Sequence, residues 1–215
     1  MNIRWLGHSS FCLTESTGTT VVTDPFDPYV GISMPEISAD IVTTSHLHKD
    51  HSSISLVGGN PIVIDKTGLF EVKGVHVFGI ESFHDDEMGA KRGLNVVFKF
   101  RIDGVNVCHM GDIGQECTPE LVDAIGPVDV LLLPVGGNYT IDGERAKEYV
   151  DRLMPDIVVP MHYKSKGVEF DIDKVDAFLK YFSSDVIEEL DTDNFDISRS
   201  EKGLEYTRVI IPKLN

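Results

Sequence analysis

The densest chemistry in the chain lies in one short run, His46-Leu47-His48-Lys49-Asp50-His51. Imidazole nitrogens and carboxylate oxygens are the usual donors to zinc, manganese and iron. In an extended chain residues two apart point the same way, so His46 and His48 can reach one ion from one face. Asp50 and His51 are neighbours and diverge in a straight strand. They converge only where the chain turns, and the sequence predicts a turn there, running into a helix that starts near Ser52. The run then offers donors to two adjacent metal positions. Clustered histidines also occur on solvated helix faces, but this cluster follows Asp40 to Ser45, an apolar strand ending in small hydroxyl residues, and loops beyond buried strands carry function.

Three further ligand-type residues have the same setting. His84 ends the strand-like run Val75 to Phe83. Asp112 follows the strand ending at Met110, inside Gly111-Asp112-Ile113-Gly114. His162 follows Ile157 to Met161. Taken singly, each reads equally well as a capped loop. Sites on open α/β sheets gather at strand ends, and four strand ends agree here. The expectation is one or two divalent ions held by His46, His48, Asp50, His51, His84, Asp112 and His162. Zinc and manganese lead, and iron suits the same donors. A water held by such an ion has its pKa lowered towards about 7, which supplies a hydroxide nucleophile. Asp50 is the candidate proton relay.

The elements that must position these residues are mostly short strands. Ile3 to Leu6, Ser10 to Thr14 and Thr19 to Thr23 are extended runs broken by Gly7 and Gly18. Ile41 to Ser45, Pro61 to Ile64 and Val75 to Ile80 follow. Asn95 to Ile102 and Val105 to Met110 flank Asp103-Gly104, a hairpin turn signal. Helices come later. Thr118 is an N-cap with Pro119 at the first helical position. Asp142 to Met154 is a second helix, ended by Pro155, and Ile172 to Phe182 a third, capped by Asp171. Asp156 to Pro160 reads as a buried strand and Glu205 to Ile211 as a closing one. The pattern predicts one α/β domain, residues 1–215, with two sheets covered by helices.

Composition narrows the function. With 35 Asp plus Glu against 19 Lys plus Arg, the net charge is −16. A nucleic-acid binder needs a basic face, so nucleic acid is not an expected partner. No run has the length of a membrane span, so no membrane partner is expected either. The N-terminus lacks an apolar stretch of signal-peptide length. Cys12, Cys108 and Cys117 are odd in number and share no zinc-finger spacing. Cys12 and Cys108 sit in apolar runs and read as buried hydrophobes, which fits a reducing, cytoplasmic location. A small-molecule substrate is the expected partner, and a homo-oligomer is compatible with the sequence.

The chain resembles the metallo-β-lactamase superfamily, and within it the branch of small hydrolases related to ascorbate-6-phosphate lactonase and to the phospholipase D acting on N-acyl-phosphatidylethanolamines. The resemblance covers nearly the whole chain. It runs through Trp5-Leu6-Gly7-His8 with Phe11, Thr23-Asp24-Pro25-Phe26, the 46–51 motif, Phe83-His84, His109-Met110-Gly111-Asp112, Leu133-Pro134-Val135-Gly136-Gly137 and Pro160-Met161-His162-Tyr163. The 46–51 motif is superfamily-wide, and the last two are more typical of the branch. The resemblance implies a four-layer αββα sandwich. It implies one ion held by His46, His48 and His84, a second by Asp50, His51 and His162, and Asp112 bridging them. Asp24 would support the ligand loop without being a ligand. His8 and His109 match branch positions of unassigned role and read as core histidines or as supports behind the ligands, and His76, between Val75 and Val77, points out of its sheet. Related diiron flavoproteins carry Glu where this chain has His48, and they add a flavin domain, which argues against an oxygen or nitric oxide reductase.

The function so implied is hydrolysis of an ester, lactone or phosphoester in a small molecule. Asn138, Tyr139, Tyr163, Lys164 and Lys166 lie beside the predicted site loops and are candidates to bind a polar or anionic substrate. A nuclease of the same superfamily would need a basic surface, and a metal-binding scaffold would have the ligands but a closed cavity. An exported β-lactamase would carry a signal peptide.

Overall fold

The N-terminal runs form strands wherever β-branched and apolar residues alternate between tight turns. The computed structural model describes residues 1–198, 203 and 206–214. Its strands are β1 (Asn2–Gly7), β2 (Ser10–Thr14), β3 (Thr20–Thr23), β4 (Ile37–Ser38), β5 (Ile41–Thr43), β6 (Val57–Gly58), β7 (Ile62–Ile64), β8 (Gly68–Val72), β9 (Val75–Phe83), β10 (Leu94–Ile102) and β11 (Val105–His109). After them come α1 (Pro119–Ile125), β12 (Val130–Pro134), α2 (Gly143–Leu153), β13 (Ile157–Met161), α3 (Asp176–Leu179), β14 (Ile187–Glu189), β15 (Asn194–Asp196) and β16 (Arg208–Ile211).

Two mixed sheets face each other. One has the order β15-β1-β2-β3-β5-β7 and the other β14-β16-β13-β12-β11-β10-β9-β8. Alternation along the strands explains the layering. Val21 and Ile41 point into the main core with Phe98, Phe100 and Val107 from the other sheet. Their neighbours Val22 and Val42 join Leu6, Cys12 and Val57 in a second cluster on the opposite face. In the larger sheet β12 and β13 are buried along their whole length, as strands covered on both faces must be. Helices α2 and α3 pack together and α2 lies against β12. This is the two-sheet sandwich that the resemblance implies. Its helical cover is thin: among the described residues no α-helix precedes Pro119, and the pair β4-β6 and short 3₁₀ turns cover the smaller sheet.

Local signals account for several joints. Asp103 (φ 51°) and Gly104 (φ 74°) make the two-residue turn of the β10–β11 hairpin, the positive-φ pair that matches strand twist. Thr118 Oγ1 accepts from Leu121 N, and the Asp142 carboxylate accepts from Glu144 N and Arg145 N, so both helices begin on side-chain caps.

Three expectations differ. No α-helix starts near Ser52. Ser52 Oγ and Ser53 Oγ donate to the carbonyls of His48 and Lys49, at 2.8 and 3.0 Å, and only a 3₁₀ turn, Ile54–Leu56, follows. Serine hydroxyls that bond the local backbone compete with helix formation. The run Ile172 to Phe182 is helical only over Asp176–Leu179. Asp173 N donates to Gly136 O and Lys164 N to Asp173 O, so this stretch is committed to neighbouring loops, and Asp171 accepts a side chain at its carbonyl instead of capping. The closing strand is Arg208–Ile211; Glu205 lies outside the described residues.

Candidate metal centre

Every donor-type residue of the cluster sits just beyond the C-terminal end of a strand. His8 follows β1, Asp24 follows β3, residues 46–51 follow β5, His84 follows β9, Asp112 follows β11 and His162 follows β13. Parallel pairing of β3 with β5, and of β11, β12 and β13, aims these ends in common directions. The turns are tight. His8 (φ 50°), Asp24 (φ 41°) and His162 (φ 50°) all hold left-handed backbone, which costs a side-chain-bearing residue about 1–3 kcal/mol and clusters at functional sites. Gly111 (φ 57°) must lack a side chain, because a Cβ there would lie 2.3 Å from Asn95 Oδ1 and 2.6 Å from Ser45 Cβ. At Gly136 a Cβ would meet the carbonyl of His162 at 2.1 Å.

Asp112 stands at the centre. Its Oδ2 lies 3.2 Å from His51 Nε2, 3.3 Å from His162 Nε2, 3.4 Å from His84 Nε2 and 3.9 Å from His46 Nε2. Donor atoms of His46, His48 and His84 lie within 4.8 Å of one another, as do those of His8, Asp50, His51 and His162. The Nε2 atoms of His46 and His51 and Oδ1 of Asp112 are buried without hydrogen-bond partners. Buried polar atoms left unpaired are costly, and a cation among them would remove that cost, so the donor set fits one or two divalent ions. His48 is exposed on the solvent side, while His46, His51, His84, Asp112 and His162 are buried.

The support around these donors is specific. The Asp24 carboxylate accepts from Ser45 N (2.7 Å), Ser45 Oγ (2.5 Å) and His51 Nδ1 (2.8 Å). With the Ser45 hydroxyl hydrogen directed at Asp24, His46 Nδ1 donates to Ser45 Oγ at 3.0 Å. Both imidazoles therefore turn a free Nε2 towards Asp112. His109 Nε2 donates to Ser9 O (2.7 Å) and its Nδ1 accepts from Gly111 N (3.2 Å), tying the His8 loop to the Asp112 loop. Asn95 accepts from Asp112 N and donates to Met110 O and Ser82 Oγ.

Burial and like charge from His51 push His46 down to about 3. Burial raises the Asp112 carboxyl, but His162 and His51 outweigh it and hold Asp112 well below the usual carboxylate range. For His51, burial favours the neutral ring, and Asp112, Asp24 and Asp50 together reverse that, raising it well above 6.5.

The cluster opens on a cavity of about 280 Å³, lined beside the donors by Tyr29, Arg92, Tyr139 and Phe170. Of the five candidate substrate residues, Tyr139 alone lines it. Tyr163 is buried and stacks on Trp5 at 5.8 Å. The Lys164 ammonium donates to Phe170 O, Asn138 Nδ2 donates to Asp171 O, and Lys166 lines grooves near Trp5. His76 lies on the surface between buried Val75 and Val77, its Nδ1 3.9 Å from Glu71. Arg92 carries no signal of its own in sequence, and His8 is marked only by its place in the Trp5-Leu6-Gly7-His8 motif. A polar Asn inside a strand-like run is the one hint for Asn95. Arg92 owes its place to buried Asp85, whose carboxylate accepts from the backbone of Glu87, Gly89, Lys91 and Arg92.

Known proteins are similar to this chain in sequence and fold. A beta-lactamase superfamily domain matches residues 2–162. A UPF0173 metal-dependent hydrolase of Pelotomaculum thermopropionicum is 30% identical over 196 residues, which span 77% of this chain and 85% of that protein. Another from Thermoplasma acidophilum is 30% identical over 82% of this chain and 87% of its own length. A crystal structure from Thermotoga maritima, described as a candidate Zn-dependent hydrolase of the metallo-beta-lactamase superfamily, is 42% identical, superposes with a TM-score of 0.81 and covers 99% of both chains. Since the agreement extends over sequence, fold and nearly the whole length of both partners, the chain belongs to the metallo-beta-lactamase superfamily and, within it, to the UPF0173 family of metal-dependent hydrolases.

Proposed function

We propose that this hydrolase cleaves an ester, lactone or phosphoester bond in a small anionic molecule. One ion would be held by His46, His48 and His84 and a second by Asp50, His51 and His162, with Asp112 shared. The observation that carries this reading is the Asp112 carboxylate oxygen, within 4 Å of four imidazole nitrogens beside an open cavity. Metal held by these residues would supply a bound water with its pKa lowered towards about 7 and would polarise the bond under attack. Zinc and manganese are the leading metals, with iron also suited to the donors.

The chain's own residues do the rest. Asp50 lines the cavity and takes the proton-relay role. Tyr29, Tyr139 and Phe170 supply an apolar wall, which favours a small organic substrate over a polymer backbone. Arg92 is the cation among the lining residues. Its guanidinium lies 5.3 Å from the Tyr139 ring centroid and donates to Tyr139 O at 3.4 Å, which presents a planar fork for a carboxylate or phosphate. The test is a screen of lactones, thioesters and phosphodiesters, each with and without a remote anionic group, using zinc-, manganese- and iron-loaded protein. Metal-dependent turnover favouring anionic members is the expected result; absence of turnover across the panel with every metal would refute the reading.

A further inference from the structure

We infer that His8 is a further donor to the ion assigned to Asp50, His51 and His162, an inference that rests on reading the cluster as a metal site. The His8 ring is 1% exposed, and neither of its nitrogens has a hydrogen-bond partner. Its Nε2 lies 3.4 Å from Asp50 Oδ2. Its ring centroid is 4.3 Å from that of His162 and 5.4 Å from that of His51. On its other sides stand the rings of Phe26 and Phe170, which offer no acceptor. A buried imidazole whose nitrogens lack hydrogen-bond partners is destabilising. An ion shared with Asp50, His51 and His162 would use one of them.

The backbone is built to hold the ring in this direction. Gly7 (φ 116°) and His8 (φ 50°) form a left-handed pair at the end of β1. A Cβ on Gly7 would lie 2.7 Å from Ile32 Cδ1. The His8 carbonyl accepts from Trp5 Nε1 at 3.0 Å and from His162 N at 3.4 Å, and the next carbonyl, of Ser9, accepts from His109 Nε2. A strained turn fastened at three points, to Trp5 of its own strand, to the His162 loop and to His109 beside the Asp112 loop, fixes the direction of its side chain.

The consequence is that the two positions are unequal. One has three imidazoles, and the other three imidazoles and a carboxylate, with Asp112 between them. The four-donor position should load first and release its ion last.

The chain has eight histidines, which makes direct detection practical. Protein labelled with ¹⁵N in its imidazoles and loaded with ¹¹³Cd should show one-bond cadmium–nitrogen coupling at His8, His46, His48, His51, His84 and His162, and none at His76 or His109. The His8 coupling should appear with the first equivalent of cadmium. His8→Asn assigns its signal and should weaken the tighter site by more than about 100-fold in chelator competition, beyond what outer partners of a ligand typically contribute. Coupling at the other five with none at His8 would overturn this inference and make His8 a positioning residue for Asp50. Coupling at no histidine would overturn the metal reading itself.

Discussion

Asp112 and Asp24 are both fully buried carboxylates touching His51, yet their surroundings assign them different work. Asp112 faces four imidazole nitrogens, while Asp24 faces backbone and hydroxyl hydrogens on the far side of His51 and His46. Asp112→Ala should abolish turnover with every metal and lower the number of bound ions by elemental analysis. Asp24→Ala should keep activity that rises with added metal, with affinity reduced by about 10- to 100-fold. Metal rescue of Asp112→Ala, with Asp24→Ala dead at any metal concentration, would reverse the two roles. Arg92 belongs to recognition. Arg92→Ala should raise KM for an anionic substrate by about tenfold or more with kcat little changed, the mark of lost uniform binding, and Arg92→Lys should recover part of it. An unchanged KM would remove Arg92 from the substrate. The clustering of the seven donor-type residues is legible because their residue types are informative and they follow recognisable strands. Arg92 was not, because an arginine in a loop reads as solvated until Asp85 is seen gathering that loop's backbone.

The elements are readable where local chemistry decides and obscure where tertiary contacts do. The Asp103-Gly104 hairpin and the Thr118 and Asp142 caps are written in single residues and form as the sequence implies. The helix expected over Ile172 to Phe182 has the right periodicity, but its first turn is drawn into hydrogen bonds with Gly136 and Lys164. Likewise Ser52 and Ser53 turn the chain instead of starting a helix, which is what lets Asp50 and His51 face the same side. Thr118→Ala should lower stability by about 1 kcal/mol without changing metal content, since α1 carries no donor-type residue of the cluster. Asn95→Leu should lower both stability and metal affinity. It removes the partner of Asp112 N and of Met110 O at once, while Ser82 Oγ keeps its bond to the carbonyl of residue 95, and each buried group so orphaned costs about 1–3 kcal/mol. Thermal unfolding and metal titration of the two variants separate a cap from a strut. Full metal affinity in Asn95→Leu would show that the Asp112 loop holds its shape alone.

For the whole molecule, the two sheets bury a shared core and leave the donors at one rim, so the site and the fold stabilise each other. A ligand that binds only the folded chain adds about 4 kcal/mol when present at a thousand times its Kd; chelation should therefore lower Tm, and zinc or manganese should restore it. The thiols should stay silent throughout. Burial pushes Cys108 up to about 12, Cys117 up to about 11 and Cys12 above its usual value. Native protein at pH 8 should resist alkylation and react at all three positions once unfolded. The central claim, that a divalent-metal hydrolase centre is assembled around Asp112, is met most directly by anomalous diffraction from a zinc-soaked crystal. The account predicts peaks flanking the Asp112 carboxylate, one against His46, His48 and His84 and one against Asp50, His51 and His162, each about 2 Å from its donors. Anomalous density only at surface residues, with none between these side chains, would contradict it.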